Sequence, residues 1–207
     1  MYNLDKAYSK KFFAQRKSLS WRVSIICDAI INVLKPKSVI DVGCGNGDLV
    51  QGFIDKGLVA FGIEGTENVF NAPATGNIII RDLRKENVLS DFRQFDLAIC
   101  FEVAEHIELE YTDIFLDNLC SLSDRILFSA AGPGQGGIHH HNCQSKKYWV
   151  DKFYARGYLR YCEKQIELEN KWHPWRNKKG IKAYYQNLIY FEKAGATLGI
   201  SDRLNRT

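Results

Sequence analysis

The chain has 207 residues, 45% of them apolar and 25% charged, with a formal net charge of +4. That length suits one domain with a sizeable core, and the composition excludes a disordered or fibrous chain. No apolar run approaches the ~20 residues that span a bilayer, and the first residues lack a signal-peptide core, so a cytoplasmic protein is expected.

The first segment is basic: Lys6, Lys10, Lys11, Arg16, Lys17 and Arg22 stand against one acid, Asp5. Leu19, Val23, Ile26, Ile30 and Leu34 repeat at helical spacing and Pro36 ends that helix, so residues 1–36 read as an N-terminal helical cap. Ser38-Val-Ile-Asp41 reads as a strand. It runs through Asp41-Val-Gly-Cys-Gly-Asn-Gly47 into a helix that begins at Asp48. Three glycines between a strand and a helix bring bare backbone close to a ligand, and the amides at the helix start face an acceptor. The next apolar run closes on Glu64, seventeen residues after Gly47. An acid at the tip of a second strand is where an α/β nucleotide site holds ribose hydroxyls. Together the two features predict a site for a nucleoside-type cofactor.

Further strands are predicted near 77–81, 95–101 and 125–130, and helices near 48–56, 110–121 and 145–156. A sixth strand is expected from Gly157 and a seventh over 187–192, with a Trp-rich, helix-prone insert (160–186) on the substrate side. Strand and helix alternate from end to end, which predicts a single α/β domain over 1–207 with a mostly parallel sheet and helices on both faces. The six cysteines (Cys27, Cys44, Cys100, Cys120, Cys143 and Cys162) form no Cys-x-x-Cys pair and read as reduced residues; Cys44 reads as a small filler in the glycine loop.

Two segments carry chemistry. Glu102-Val-Ala-Glu-His106 follows the fourth strand, at the carboxyl edge of the sheet where ligands bind in such folds. If a helical turn begins there, Glu102, Glu105 and His106 share one face and suit a divalent cation. The alternative is that the two acids favour the positive start of a helix. The glycine-rich stretch 130–144 follows the fifth strand and can arch over the same edge as a lid, carrying His139, His140 and His141.

The acid-x-Gly-x-Gly-x-Gly spelling differs from the dinucleotide fingerprint and resembles motif I of the class I S-adenosylmethionine-dependent methyltransferases. The resemblance covers most of the chain. It implies a Rossmann-like, seven-stranded sheet that binds S-adenosylmethionine through Asp41, Gly43, Cys44, Gly45, Asn46, Gly47, Glu64, Asp82 (at the adenine) and Phe101. The Glu-x-x-Glu-His turn is similar to that of the small-RNA 2′-O-methyltransferases and the ubiquinone-pathway catechol O-methyltransferases. That resemblance implies Glu102, Glu105, His106 and one of His139 to His141 as ligands of Mg or Mn. The glycine-rich loop resembles that of methyltransferases of capsule and lipopolysaccharide sugar biosynthesis, with His140, Asn142 and Gln144 on the shared positions. His139 and His141 depart from the residues usual beside them.

The expected reaction is therefore metal-assisted O-methylation of a sugar hydroxyl, in a nucleotide-sugar or a capsule or lipopolysaccharide precursor. His140 is the expected ligand and His139 or His141 the proton acceptor; without metal, His140 becomes the general base. RNA 2′-O-methylation is the main alternative, and a catechol or phenol acceptor is a third. The basic stretch 176–182 reads either as a solvated face or as a receiver of phosphate. Trp149, Trp172 and Trp175 read either as core or as stacking platforms. The sequence leaves the oligomeric state open.

Overall fold

The computed structural model describes residues 4–9, 11, 21–69, 75–89, 91, 92 and 94–195. Lys10, Arg16, Lys17 and Leu19 lie outside them. After a short helix α1 (Leu4–Ala7), helix α2 (Arg22–Leu34) ends where Lys35 turns left-handed and its N–H bonds the carbonyl of Ile31. Strand β1 (Ser38–Val42), helix α3 (Asp48–Asp55), β2 (Val59–Glu64), β3 (Ile78–Ile80) and β4 (Leu97–Phe101) follow. Then come α4 (Thr112–Ser121), β5 (Arg125–Ser129), α5 (Lys146–Tyr154), β6 (Tyr158–Arg160), α6 (Cys162–Trp172), α7 (Lys182–Asn187) and β7 (Ile189–Lys193). Element ends fall within two residues of most predicted bounds. The sixth strand is the shortest against expectation, because Gly157 turns with φ 80 and Cys162 already begins α6.

The sheet has seven strands in the order β3-β2-β1-β4-β5-β7-β6, parallel except for β7, which runs antiparallel to both neighbours. Both faces are covered, so the strands read as unbroken apolar runs, and alternate residues enter opposite layers. Val39, Leu97, Ile99, Leu127 and Tyr190 pack beneath α2, α3 and α6. Ile40, Ala98, Cys100, Ile126, Phe128 and Phe191 pack with α4 and α5. Trp149 and Trp172 are fully buried, one in each layer, so they are core and not stacking platforms. The cysteines of the described residues are all free, and Cys162 is exposed. No described helix is long and apolar enough to cross a membrane.

The sheet order reverses beside β1, so the carboxyl ends of β1, β2 and β4 open into one crevice. The insert folds as α6 and α7, with Leu168 and Trp172 anchored in the core and Lys179, Gly180, Ala183 and Tyr184 reaching the rim of that crevice.

Candidate active site

The glycine loop turns because three of its residues adopt left-handed backbone: Gly43 (φ 75), Gly45 (φ 55) and Gly47 (φ 70). Both Gly43 N–H and Cys44 N–H bond the carbonyl of Ile63, which ties the loop to β2 (2.8 and 3.0 Å). Cys44 packs over Gly62, where a Cβ would collide with its sulfur, and burial holds its thiol far above the ordinary range; it is a filler and not a nucleophile. Glu64 accepts N–H bonds from Gly45 (2.9 Å) and Gly65 (2.8 Å), one on each carboxylate oxygen. The predicted ribose acid therefore also fixes the loop it faces.

Beside this loop lies a cavity of about 370 Å³. Asp41, Gly43, Cys44, Gly45, Asn46, Glu64, Asp82 and Phe101 line it, as do Glu102 and His106. Gly47 does not; it starts α3, and its N–H bonds the carbonyl of Cys44 (3.0 Å). Asp41 is 4% exposed, and burial, followed by the charge of Glu64, pushes its carboxyl to about 7 against the pull of Arg22. Asp82 is engaged by a neighbour. Arg84, itself buried, grips both its oxygens (2.9 and 3.0 Å) and reaches Glu108 with its remaining nitrogen (3.0 Å). Burial works against ionisation of Asp82, but the Arg84 hydrogen bonds outweigh it and hold the carboxyl below its ordinary range.

After β4 the chain does not enter a helical turn at Glu102. Glu102 is left-handed (φ 55), with its N–H on the carbonyl of Ser129, and only Ala104–His106 form a short 3₁₀ turn. The expected i, i+3, i+4 face is replaced by a bend, and Glu102 is not among the converging ligand atoms of Glu105, His106 and His140. Asn187, at the end of α7, donates to Glu102 (3.2 Å) and to Gln135 of the glycine-rich loop (3.0 Å). Burial raises the Glu102 carboxyl against that hydrogen bond.

Glu105, His106 and His140 converge, each offering a ligand atom within 4.8 Å of the others. Glu105 is 0% exposed, and no described side chain hydrogen-bonds either carboxylate oxygen; the backbone N–H groups of Glu105 and Ala131 give it only weak support. Burial, then the charge of Glu102, holds its carboxyl well above the usual range. A buried carboxylate so weakly supported is costly unless a cation or proton satisfies it. His106 Nδ1 faces the carbonyl of His139 (3.1 Å), and His140 Nδ1 faces that of Gln135 (3.0 Å). A ring that donates from Nδ1 to a carbonyl keeps the Nε2 lone pair, the arrangement of a metal-ligating imidazole. The donor set therefore fits a divalent cation.

His139 and His141 flank the nest and are exposed. The backbone N–H groups of His141 and Asn142 both bond the carbonyl of Glu105 (2.8 and 3.0 Å), which pins the loop onto the turn after β4. Buried Asn142 also donates to Thr112 (2.9 Å), while Gln144 donates to Asn142 (3.0 Å). Sequence reasoning missed Asn187, Arg84 and Tyr184 as parts of the site. Arg84, two residues beyond Asp82, offered a local signal; Asn187 and Tyr184 offered none.

The family model described as a methyltransferase domain matches residues 19–174. A stretch of 87 residues is 31% identical to the ubiquinone biosynthesis O-methyltransferase of Glaesserella parasuis serovar 5 (strain SH0165). It covers 37% of this chain and 37% of that relative, little more than a third of the relative's length. Among solved structures, the plantazolicin methyltransferase BamL, in complex with a triazolic desmethylPZN analog and SAH, superposes with a TM-score of 0.61 at 12% identity, covering 87% of this chain and 88% of that one. Magnesium protoporphyrin IX methyltransferase (ChlM) from Synechocystis PCC 6803 with bound SAH gives 0.55 at 18% identity, covering 78% and 80%. At such identities the likeness is one of fold.

Proposed function

The chain belongs to the methyltransferase-domain family, and from that premise we propose that it methylates a sugar hydroxyl of a nucleotide-sugar or surface-polysaccharide precursor, assisted by a divalent cation. The observation that carries this reading is the convergence of the buried Glu105 carboxylate with His106 and His140, of which His106 also lines the cavity beside the glycine loop.

S-adenosylmethionine supplies a methyl group already activated on a sulfonium, so the chain's residues have to bind, orient and deprotonate. Glu64 and the amides of the glycine loop hold the ribose side of the donor, while Asp82, fixed by Arg84, forms the adenine end. Val103 covers Gly43 closely enough to exclude a side chain there, and Phe101 stacks on Tyr184 (4.8 Å) to form an apolar wall. Glu105, His106 and His140 would hold Mg or Mn. When bound, such a cation would lower the pKa of a coordinated hydroxyl and fix its direction. His139 or His141, exposed beside the nest, accepts the proton. In the metal-free version of the reaction, His140 accepts it.

Two other acceptors have specific support. The matched ubiquinone-pathway relative favours a phenolic acceptor, over the part of the chain it shares. The cations of 171–182 favour RNA, whose binding would then weaken steeply with salt. The deciding experiment offers labelled donor with nucleotide-sugars, catechols and short RNAs, with and without manganese or magnesium. Metal-dependent transfer to a nucleotide-sugar is the expected result. Transfer only to RNA or catechol overturns the acceptor, and full activity after exhaustive chelation overturns the metal.

A further inference from the structure

Trp175, unlike Trp149 and Trp172, is only half buried, and it shares a shallow surface depression with Trp21, Lys178 and Lys179. Trp21 is 42% exposed, an unusual position for the largest apolar side chain. The two walls are joined at the cavity mouth. Arg22, next to Trp21, donates to the carbonyl of Gly180, next to Lys179 (2.9 Å), and its guanidinium lies 5.1 Å over the Tyr184 ring. Lys179 lines both the depression and the donor cavity, so the two are neighbours. The segment is also one-signed: residues 170–191 hold Lys171, Arg176, Lys178, Lys179 and Lys182 and no acid. Among the described residues, neither Lys178 nor Lys179 has a carboxylate at ion-pair distance.

We infer that this depression anchors a nucleoside diphosphate, the activating group of the acceptor, with its base against Trp21 and Trp175 and its phosphates on Lys178 and Lys179. The inference rests on the nucleotide-sugar reading above, and gives it a second, separate binding site. Stacking on an aromatic face accepts any base, whereas lysines supply point charges for phosphate. Neither group alone needs the other; their juxtaposition selects a ligand that carries both. A single depression with two tryptophans and two adjacent cations matches one nucleotide better than a strand, which needs an extended groove. The shared Lys179 then directs the attached sugar from the depression toward the donor cavity.

The test titrates UDP, ADP, GDP and CDP into the 207-residue chain saturated with S-adenosylhomocysteine, read by tryptophan fluorescence and calorimetry. At least one diphosphate should bind at least tenfold more tightly than its nucleoside and than inorganic pyrophosphate. Lys178→Glu and Trp21→Ser should each weaken it at least tenfold with unchanged S-adenosylhomocysteine affinity; both side chains are exposed, so folding is preserved. Absence of saturable binding, or equal affinity in Lys178→Glu, overturns the site. A 12-nucleotide RNA that binds more tightly through the same residues, with a steep salt slope, also overturns it. The assay needs neither metal nor turnover. Diphosphate binding without methylation of any nucleotide-sugar would therefore sink the proposed reaction alone, and methylation of a sugar without diphosphate binding would sink this site alone.

Discussion

The imidazole of His140 occupies the space that a β-carbon on Gly137 would need, closer than real Cβ contacts come. The glycine at 137 is thus a cradle for the ring, not a hinge. Gly137 is exposed and its backbone is not left-handed, and the three atoms nearest an added methyl all belong to the His140 ring. Gly137→Ala should leave thermal stability unchanged or raise it by about 0.4–1 kcal/mol through the unfolded chain. Manganese affinity, read by electron paramagnetic resonance, should fall about 10–100-fold, as when a metal-orienting partner is lost. Unaltered affinity would mean that His140 does not need its observed position.

Glu64 faces two ways. Its carboxylate oxygens already hold Gly45 and Gly65, and the same group lines the cavity beside the glycine loop. Glu64→Gln keeps the shape but can accept from only one of the two backbone N–H groups, leaving the other against an amide NH2. Hydrogen bonds to a charged group are worth about 1.5–3 kcal/mol, which corresponds to roughly 10–100-fold in affinity. Calorimetry with S-adenosylhomocysteine should show that loss, and equal affinity would remove Glu64 from the donor site.

Arg84 is the buried centre of an Asp82–Arg84–Glu108 ladder that joins the residues after β3 to the turn after β4. Both acids bond the one guanidinium. Arg84→Met should cost roughly 3–5 kcal/mol, since it leaves two carboxylates without their cation. Urea unfolding would measure it, and Glu108→Gln should cost less. The lowered Asp82 carboxyl sets the pH sense: its contribution is present above the ordinary 3.8 and is lost as pH falls further. The Met variant should therefore be less sensitive to acid than the parent.

Signals that are local in the chain were legible. The glycine loop, Glu64 and the alternation of strand and helix follow from backbone need, charge placement and apolar period. The convergence of His140 with Glu105 and His106 was legible only as residue types at one sheet edge. What the spacing missed was conformational: a left-handed Glu102 breaks the helical register assumed for the cluster. Asn187 bridges Glu102 and Gln135 across 85 and 52 residues, and no pattern near any of them announces it. The tryptophans show the same divide, because Trp172 and Trp175 are three residues apart yet one is core and the other borders the surface depression.

Asp41 gives a pH test that does not involve turnover. Burial, then Glu64, raises its carboxyl from 3.8 to about 7, while Arg22 opposes the rise. Below about pH 3.8 both folded and unfolded chains hold the proton, and the residue imposes no penalty. Between about 4 and 7 the unfolded chain releases the proton while the folded chain retains it, so folding weakens as pH rises. Above about 7 no more is lost. The interval corresponds to roughly 4 kcal/mol, at about 1.4 kcal/mol per pH unit. Asp41→Asn cannot ionise, so its stability relative to the parent should climb from pH 4 to pH 7.5 and then level off. Arg22→Gln should extend the parent's decline to higher pH. Urea unfolding of all three at intervals across this range measures both effects; parallel curves for Asp41→Asn and the parent would show that the carboxyl titrates normally and that burial beside Glu64 does not govern it.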